Sequence, residues 1–140
     1  MVVREVALRK VVVRTRDGQV ARGFAREGEI EKAPVKITTQ AGKRQEFDIE
    51  GLKALFFVKD FMGDPKYEEI KFLNRQQAAP MVWIRVEFFD GEVLEGKMLN
   101  DKHFLTSPGF YLWPSDPDSN NTCVYIPKSA LSGFTILAAL

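Results

Sequence analysis

Cysteine and histidine are nearly absent from this chain of 140 residues, which contains one of each, Cys123 and His103. A single thiol cannot form an intramolecular disulfide, and one thiol with one imidazole falls short of the ligand sets that hold zinc. Catalysis usually needs a nucleophile beside a base, a pair of carboxylates or a bound metal. Cys123 adjoins Val124 in an apolar stretch that suits a buried strand, and His103 lies in a polar connection. The sequence therefore predicts that the protein is not an enzyme and has no catalytic residue, metal site or cofactor.

Long apolar runs are also lacking. The longest obvious run, ALFFV, has five residues, whereas a membrane-spanning helix needs about 18–20. The first ten residues, MVVREVALRK, carry charges inside their apolar stretch, which is not typical of a secretory signal. We therefore expect a cytoplasmic protein that does not bind a membrane.

An internal repeat is the strongest positive signal in the sequence. VVVRTRDGQVARGF, residues 11–24, corresponds to IRVEFFDGEVLEGK, residues 84–97, at a constant offset of 73. In the first copy Val11, Val13 and Thr15 alternate with Val12, Arg14 and Arg16. In the second copy the inward face holds Ile84, Val86 and Phe88, and the outward face holds Trp83, Arg85, Glu87 and Phe89. A period of two predicts a strand with one buried face.

Both copies carry the same turn and bend signals. Asp-Gly follows each first strand, and these two residues tolerate the positive φ angles of a tight hairpin. A glycine five residues later interrupts the second strand, which indicates a sharp bend or a close approach of two backbones. The residues assigned to these turns and bends are Asp17, Gly18, Gly23, Asp90, Gly91 and Gly96.

The remaining pattern completes a fold prediction. Each copy continues with a further hairpin and a short last strand, LKALFFV or LSGFTIL. Five such antiparallel strands resemble an Sm-like or SH3-like small barrel. We predict a mainly β protein of two tandem five-stranded barrels, residues 1–60 and 81–140, joined by a linker, residues 61–80, in which Asp64 and Pro65 begin a short helix. A barrel of about 60 residues is marginally stable alone, so the two should pack together.

The loop GFYLWPSDPDSNNT, residues 109–122, superficially resembles a calcium site. Asp116, Asp118 and Asn120 place oxygen atoms at every second position. A calcium loop of the EF-hand type also needs glycine at its sixth position and glutamate at its twelfth, but here those positions hold Asn121 and Pro127. Proline, aspartate, serine and asparagine all favour turns. We therefore predict a hairpin turn without a metal.

Three sequence runs resemble those of a family of uncharacterised bacterial proteins. The runs are DGEVLEG, LKALFFVKDFMGDP and GFYLWPSDPDSNN, which are similar to the family patterns DG-E-x-L-x-G, LKA-x-FFVKDF and GFFL-x-P-x-DP-x-SNN. The resemblance implies a bacterial cytoplasmic protein with no known catalytic residue, associated in some members with signalling domains that include cyclic-dinucleotide-binding ones. Arg4 and Arg9 precede the first strand as paired arginines do in such sensors, but no Asp-x-Ser-x-x-Gly run follows.

The favoured functional hypothesis is a non-catalytic binding or assembly module with a protein partner or a second copy as its target. Exposed aromatic groups often mark an interface, and the apolar end FTILAAL could form an edge strand that pairs between chains. In GFYLW, alternation predicts that only one face is core. An alternative remains open, in which these aromatics pack against the first repeat. The predicted partner surface comprises Trp83, Phe89, Tyr111 and Trp113.

The second hypothesis is RNA or nucleotide binding by the first hairpin. The net charge of the whole chain is only +1, but residues 1–26 hold seven basic and two acidic residues, which gives +5. The remaining thirteen basic and seventeen acidic residues give −4. Contacts with phosphates dominate affinity for nucleic acids, so the acidic remainder weakens this hypothesis. Its predicted surface comprises Arg14, Arg16 and Arg22.

Overall fold

The computed structural model describes residues 8–26, 30–31, 34–59, 80–116 and 118–139. A four-residue helix, α1 (His103–Thr106), and two 3₁₀ turns, residues 49–51 and 128–130, accompany the strands. No helix in these ranges is long and apolar enough to cross a membrane. The helix predicted in the linker lies outside the described residues. The strands are β1 (Leu8–Thr15), β2 (Val20–Arg26), β3 (Val35–Thr39), β4 (Arg44–Phe47), β5 (Leu52–Val58), β6 (Met81–Phe88), β7 (Val93–Leu99), β8 (Gly109–Pro114), β9 (Asn121–Pro127) and β10 (Leu131–Ala139).

These strands form one antiparallel sheet in the order β10-β6-β7-β8-β9-β5-β1-β2-β3-β4. The mainly β class predicted from the sequence is confirmed. The two closed barrels are not found, because the sheet is open and β4 and β10 form its two edges within the described residues. The physical reason is the position of β5, which pairs with β9 instead of returning to β4.

The β5–β9 junction unites the two halves of the molecule, residues 8–58 and 80–139. Leu55 pairs with Tyr125, and Phe57 pairs with Cys123. Both strands are buried on both faces, since alternate side chains enter two different core clusters. Leu55 and Phe57 belong to the first cluster, and Phe56 belongs to the second. A strand covered on both faces is typically a continuous apolar run, which explains the composition of LKALFFV.

Corresponding strands of the two halves have matching neighbours. In the sheet order, β5-β1-β2-β3-β4 corresponds to β10-β6-β7-β8-β9. Val13 of β1 pairs with Leu55 of β5, and Val86 of β6 pairs with Phe134 of β10. Val13 and Val86 correspond at the 73-residue offset, so their partners Leu55 and Phe134 correspond as well. The same reasoning assigns a β10 counterpart to the other residues of β5 that pair with β1.

Glycines shape both halves in two ways. Gly18 and Gly91 have φ angles of 93° and 92°, the left-handed region in which a side chain is strained, and each closes a tight hairpin. Gly23 and Gly96 permit a close approach of backbones. A Cβ atom would lie 2.3 Å from the Thr38 carbonyl oxygen at Gly23, and 2.2 Å from the Trp113 carbonyl oxygen at Gly96.

Candidate functional site

β10 is an apolar edge strand whose outer side is not covered by any strand in the described part of the chain. β10 pairs with β6 on one side, and no strand of the described chain lies on the other. Residues 135–139 are all exposed, with Ile136 60% and Leu137 43% accessible. None of the residues 131–139 carries a charge. Unpaired backbone N–H and C=O groups on such a strand form a template for another strand, so this β10 edge (residues 131–139) is the candidate interaction surface.

The opposite edge of the sheet has a different character. β4 has only four residues, and Arg44, Gln45 and Glu46 are all exposed. Short length and charged side chains are the usual means by which proteins protect an edge strand from pairing. The two edges of the sheet are therefore chemically unequal, and among the residues that the structure describes β10 is the edge without charged side chains.

Two of the predicted partner-surface aromatics lie on the outside of the C-terminal half. Trp83 is half-buried on β6 and pairs with Ala138 of the β10 edge. The Lys97 ammonium lies 5.7 Å from the centroid of the Trp83 ring. Phe89 is 40% exposed in the turn that follows β6, and the Arg16 guanidinium lies 4.9 Å from the centroid of its ring. Trp83 therefore adjoins the β10 edge, whereas Phe89 contacts the first hairpin.

The other two predicted aromatics lie on β8 and occupy the interior. Trp113 is 7% exposed and belongs to the first core cluster, against which the half-buried Tyr111 packs. Phe110 and Leu112 enter the second cluster. Both faces of β8 are therefore covered, in contrast to the single core face expected from alternation, because the first cluster draws side chains from both halves. Trp113 and Tyr111 therefore pack as the alternative interpretation predicts, with aromatics of the second repeat against the first repeat.

The three predicted arginines of the first hairpin are exposed, and two of them lie over aromatic rings. The Arg14 guanidinium lies 5.8 Å from the centroid of Phe56, and Arg16 contacts Phe89 as described above. Arg22 is exposed on β2 and pairs with Val12. A guanidinium over an aromatic face gains a cation–π attraction. Arg14 and Arg16 thus bind the first hairpin to neighbouring strands as well as presenting positive charge.

Lys53 links the two halves by an ionic contact that the sequence analysis missed. Its Nζ donates a hydrogen bond of 2.7 Å to the Asp90 carboxylate and another to Glu92, although only 10% of the Lys53 side chain is exposed. Burial acts to lower the pKa of Lys53, but hydrogen bonds and charges from both carboxylates outweigh it, so the pKa is raised. The hydrogen bond from Lys53 lowers the pKa of Asp90. The sequence feature that could have indicated this contact is the single lysine within the apolar run LKALFFV.

A cavity of about 260 Å³ adjoins the Tyr111 side chain, and its walls include Glu31, Trp113, Tyr125 and His103. The Tyr111 hydroxyl donates a hydrogen bond of 2.7 Å to the Glu31 carboxylate. Burial, followed by the hydrogen bond and charge of Glu31, raises the pKa of Tyr111. Burial and the Glu31 charge raise the pKa of Tyr125 to about 12. Both phenols are thus held in their neutral form.

We expect Tyr111 and Tyr125 to stay neutral in the folded protein at the pH where an ordinary tyrosine ionises. Their folded pKa values lie above the ordinary 10.0, so their contribution to stability is complete below about pH 10 and falls as the pH rises beyond it. A spectrophotometric titration followed together with circular dichroism should show their phenolate absorbance appearing well above pH 10, or at the pH where the sheet is lost. Tyr111→Phe and Tyr125→Phe would each remove one late step. Ionisation of these two groups near pH 10 in a fully folded protein would contradict the expectation.

The acidic loop has the contacts of a turn. The Asp116 carboxylate accepts a 2.9 Å hydrogen bond from the backbone N–H of Asp118, and the Ser119 hydroxyl oxygen accepts one of 3.0 Å from Asn121. These are the local side-chain contacts by which aspartate and serine favour turns. Among the described residues, no group of three or more histidine, cysteine, aspartate or glutamate side chains is arranged to hold a metal ion.

Comparison with known proteins gives one match. A family model described as "Family of unknown function (DUF6982)" matches residues 7–138. No curated protein and no solved structure matches the chain.

Proposed function

The chain belongs to the DUF6982 family, whose function is unknown, and we propose on physical grounds that it is a non-catalytic module for protein binding or assembly. It acts by accepting a further strand at the β10 edge. The chemistry is that of strand addition, in which backbone hydrogen bonds supply affinity and alternate side chains supply specificity.

One observation carries this proposal, the contrast between β10 and its counterpart β5. The two strands hold the same place beside β6 and β1. β5 is covered on its outer side by β9, and its residues 52–57 are all buried. The corresponding side of β10 has no cover among the described strands, and residues 135–139 are exposed. An apolar strand in this position is stabilised when a partner strand removes its surface from water.

Trp83 supports the same surface. Trp83 lies on β6 opposite Ala138 in the strand register, so a strand added to β10 would be separated from this large, half-buried aromatic residue by β10 alone. Tryptophan is among the residues that most often dominate binding energy at protein interfaces. The β10 edge therefore offers both free backbone groups and an adjacent aromatic anchor.

We also propose the finer features inferred from the sequence. Each half derives from a small barrel of the Sm-like or SH3-like kind, and the open sheet arose when the last strand of the N-terminal half joined the C-terminal half. The common strand order of the two halves supports this origin. The protein acts in the bacterial cytoplasm beside signalling domains, a role supported by the family resemblance of its sequence runs.

Replacing Ile136 by lysine should weaken association by about tenfold or more, which corresponds to at least ~1.4 kcal/mol. The substituted side chain is already 60% exposed, so the folded state should survive, while a charge on the edge opposes strand pairing. Light scattering of the purified protein and affinity capture from a bacterial lysate would measure self-association and partner binding together. Leu105→Lys is the matched control, since Leu105 is 78% exposed on α1.

Two outcomes would contradict the proposal. One is unchanged association and capture by the folded Ile136→Lys variant. The other is RNA binding that weakens steeply with salt and disappears when Arg14, Arg16 and Arg22 are reversed in charge, since this behaviour is that of a nucleic-acid surface. The second outcome would favour the basic hairpin as the functional site.

A further inference from the structure

The internal β5–β9 junction indicates which residues of β10 are suited to pairing. Leu55, Phe56 and Phe57 pair with β9 in consecutive positions. The matching registers of β1–β5 and β6–β10 assign these three positions to Phe134, Thr135 and Ile136. Residues 133–136 also pair with β6 in an unbroken register, between two irregularities. The segment centred on Thr135 is therefore regular, and no other described strand pairs with its outer side.

The chemistry of β10 limits what can cover it. Its nine residues, LSGFTILAA, include no charged side chain. Inside the molecule, the corresponding strand β5 is covered by the apolar residues Cys123, Val124 and Tyr125. A strand that covers β10 in the same way must be neutral, largely apolar and free on one edge.

The chain itself contains two free edges in the part that the structure describes, and only one of them meets these requirements. β4 occupies the position that corresponds to β9, but it offers Arg44, Gln45 and Glu46, whose charges would lose water on pairing. β10 is long, neutral and exposed. The strand of this chain that best complements β10 is therefore β10 of another copy.

We propose that two copies of the protein pair antiparallel through β10 about a two-fold axis at Thr135. The inference rests on the proposed function and names its partner. The axis places Thr135 opposite Thr135 and Phe134 opposite Ile136, so each aromatic ring meets a β-branched side chain, a favourable cross-strand pair. The contact is isologous and therefore closes at the dimer. The two sheets join into one continuous sheet.

Charge variants at the axis test this arrangement. Thr135 is exposed, so both Thr135→Lys and Thr135→Glu should fold. Each variant alone brings two like charges opposite each other, which should weaken the dimer by about tenfold. An equimolar mixture brings lysine opposite glutamate and should recover most of the lost affinity as a heterodimer. Analytical ultracentrifugation of each variant and of the mixture measures the effect, with Leu105→Lys and Leu105→Glu as controls.

The possible results separate the two proposals. Recovery in the mixture supports the two-fold dimer. A dimer unaffected by either charge overturns it, as does wild-type protein that stays monomeric across the measured concentrations. The two-fold dimer is also overturned if Gln45→Glu restores the affinity that Thr135→Lys loses. Gln45 of β4 corresponds to Val124 of β9, so this result would indicate that β10 pairs with β4 of another copy. If the wild type is monomeric while Ile136→Lys still abolishes capture of another protein, the dimer fails and the proposed function survives.

Discussion

The Gly96→Ala variant is expected to lose about 3 kcal/mol of stability, one of the largest effects available in this molecule. The new Cβ atom would lie 2.2 Å from the Trp113 carbonyl oxygen and 2.8 Å from the Leu112 Cδ2 atom. The carbonyl belongs to the backbone of β8, which pairs with β7 at this point, so it cannot rotate away as a flexible side chain would. The strands must separate, and the hydrogen bonds between them are weakened.

Urea denaturation of matched glycine variants measures this effect. Gly23→Ala should behave like Gly96→Ala, because a Cβ atom at Gly23 would lie 2.3 Å from the Thr38 carbonyl oxygen. Gly51→Ala is the control, since a Cβ atom there meets nothing within 4 Å and the backbone has no positive φ. Equal unfolding midpoints for Gly96→Ala and Gly51→Ala would show that β7 and β8 do not approach as closely as described.

The Lys53→Glu variant should lower the melting temperature by roughly 5–10 °C, the shift that a loss of ~2 kcal/mol produces in a domain of this size. The substitution replaces the ammonium between Asp90 and Glu92 by a third carboxylate in a position where the side chain is 10% exposed. Burial of an unpaired charge is costly, and the repulsion acts across the contact between β5 and the β6–β7 turn.

The control for this variant is a charge reversal at an exposed pair. Arg85 and Glu95 form a contact of 2.7 Å, with about half of each side chain exposed at 48% and 42%. Exposed pairs contribute little, so Arg85→Glu should shift the melting temperature by a small fraction of the Lys53→Glu effect. Adding Glu92→Lys to Lys53→Glu should restore part of the loss. If Arg85→Glu destabilises as strongly as Lys53→Glu, the Lys53 contact between the halves contributes no more to stability than an exposed ion pair.

Local sequence signals predicted the parts of the fold that depend on neighbouring residues. Period-two alternation correctly predicts a buried face for Val11, Val13 and Val86, all of which are 0% exposed. Alternation reports which side chains share a face, but it carries no information on which strand lies alongside. The continuous apolar run LKALFFV is typical of a strand buried on both faces, but it does not identify β9 as the strand that pairs with β5. The sequence therefore predicted strands and a mainly β class, but not the open sheet.

The sequence likewise predicted some features of the candidate site and not others. The apolar run FTILAAL predicted an edge strand, because composition alone distinguishes an uncharged strand from a charged one. The burial of Trp113 could not be read from β8, since the first core cluster that receives it is completed by residues far away in sequence. The contact of Lys53 with Asp90 joins residues 37 positions apart. Patterns among neighbouring residues cannot predict a contact at that separation.

Burial of β5 on both faces also has a consequence for how the protein folds. During synthesis the N-terminal half emerges first, with the Phe56 side of β5 facing water until β9 has been made. Neither core can be completed by one half alone, because each draws side chains from both. Interdependence of this kind favours a single cooperative unfolding transition over two independent ones. The nascent N-terminal half therefore keeps apolar surface exposed, accessible to chaperones or to misassembly, until β9 has been synthesised near the C-terminal end of the chain.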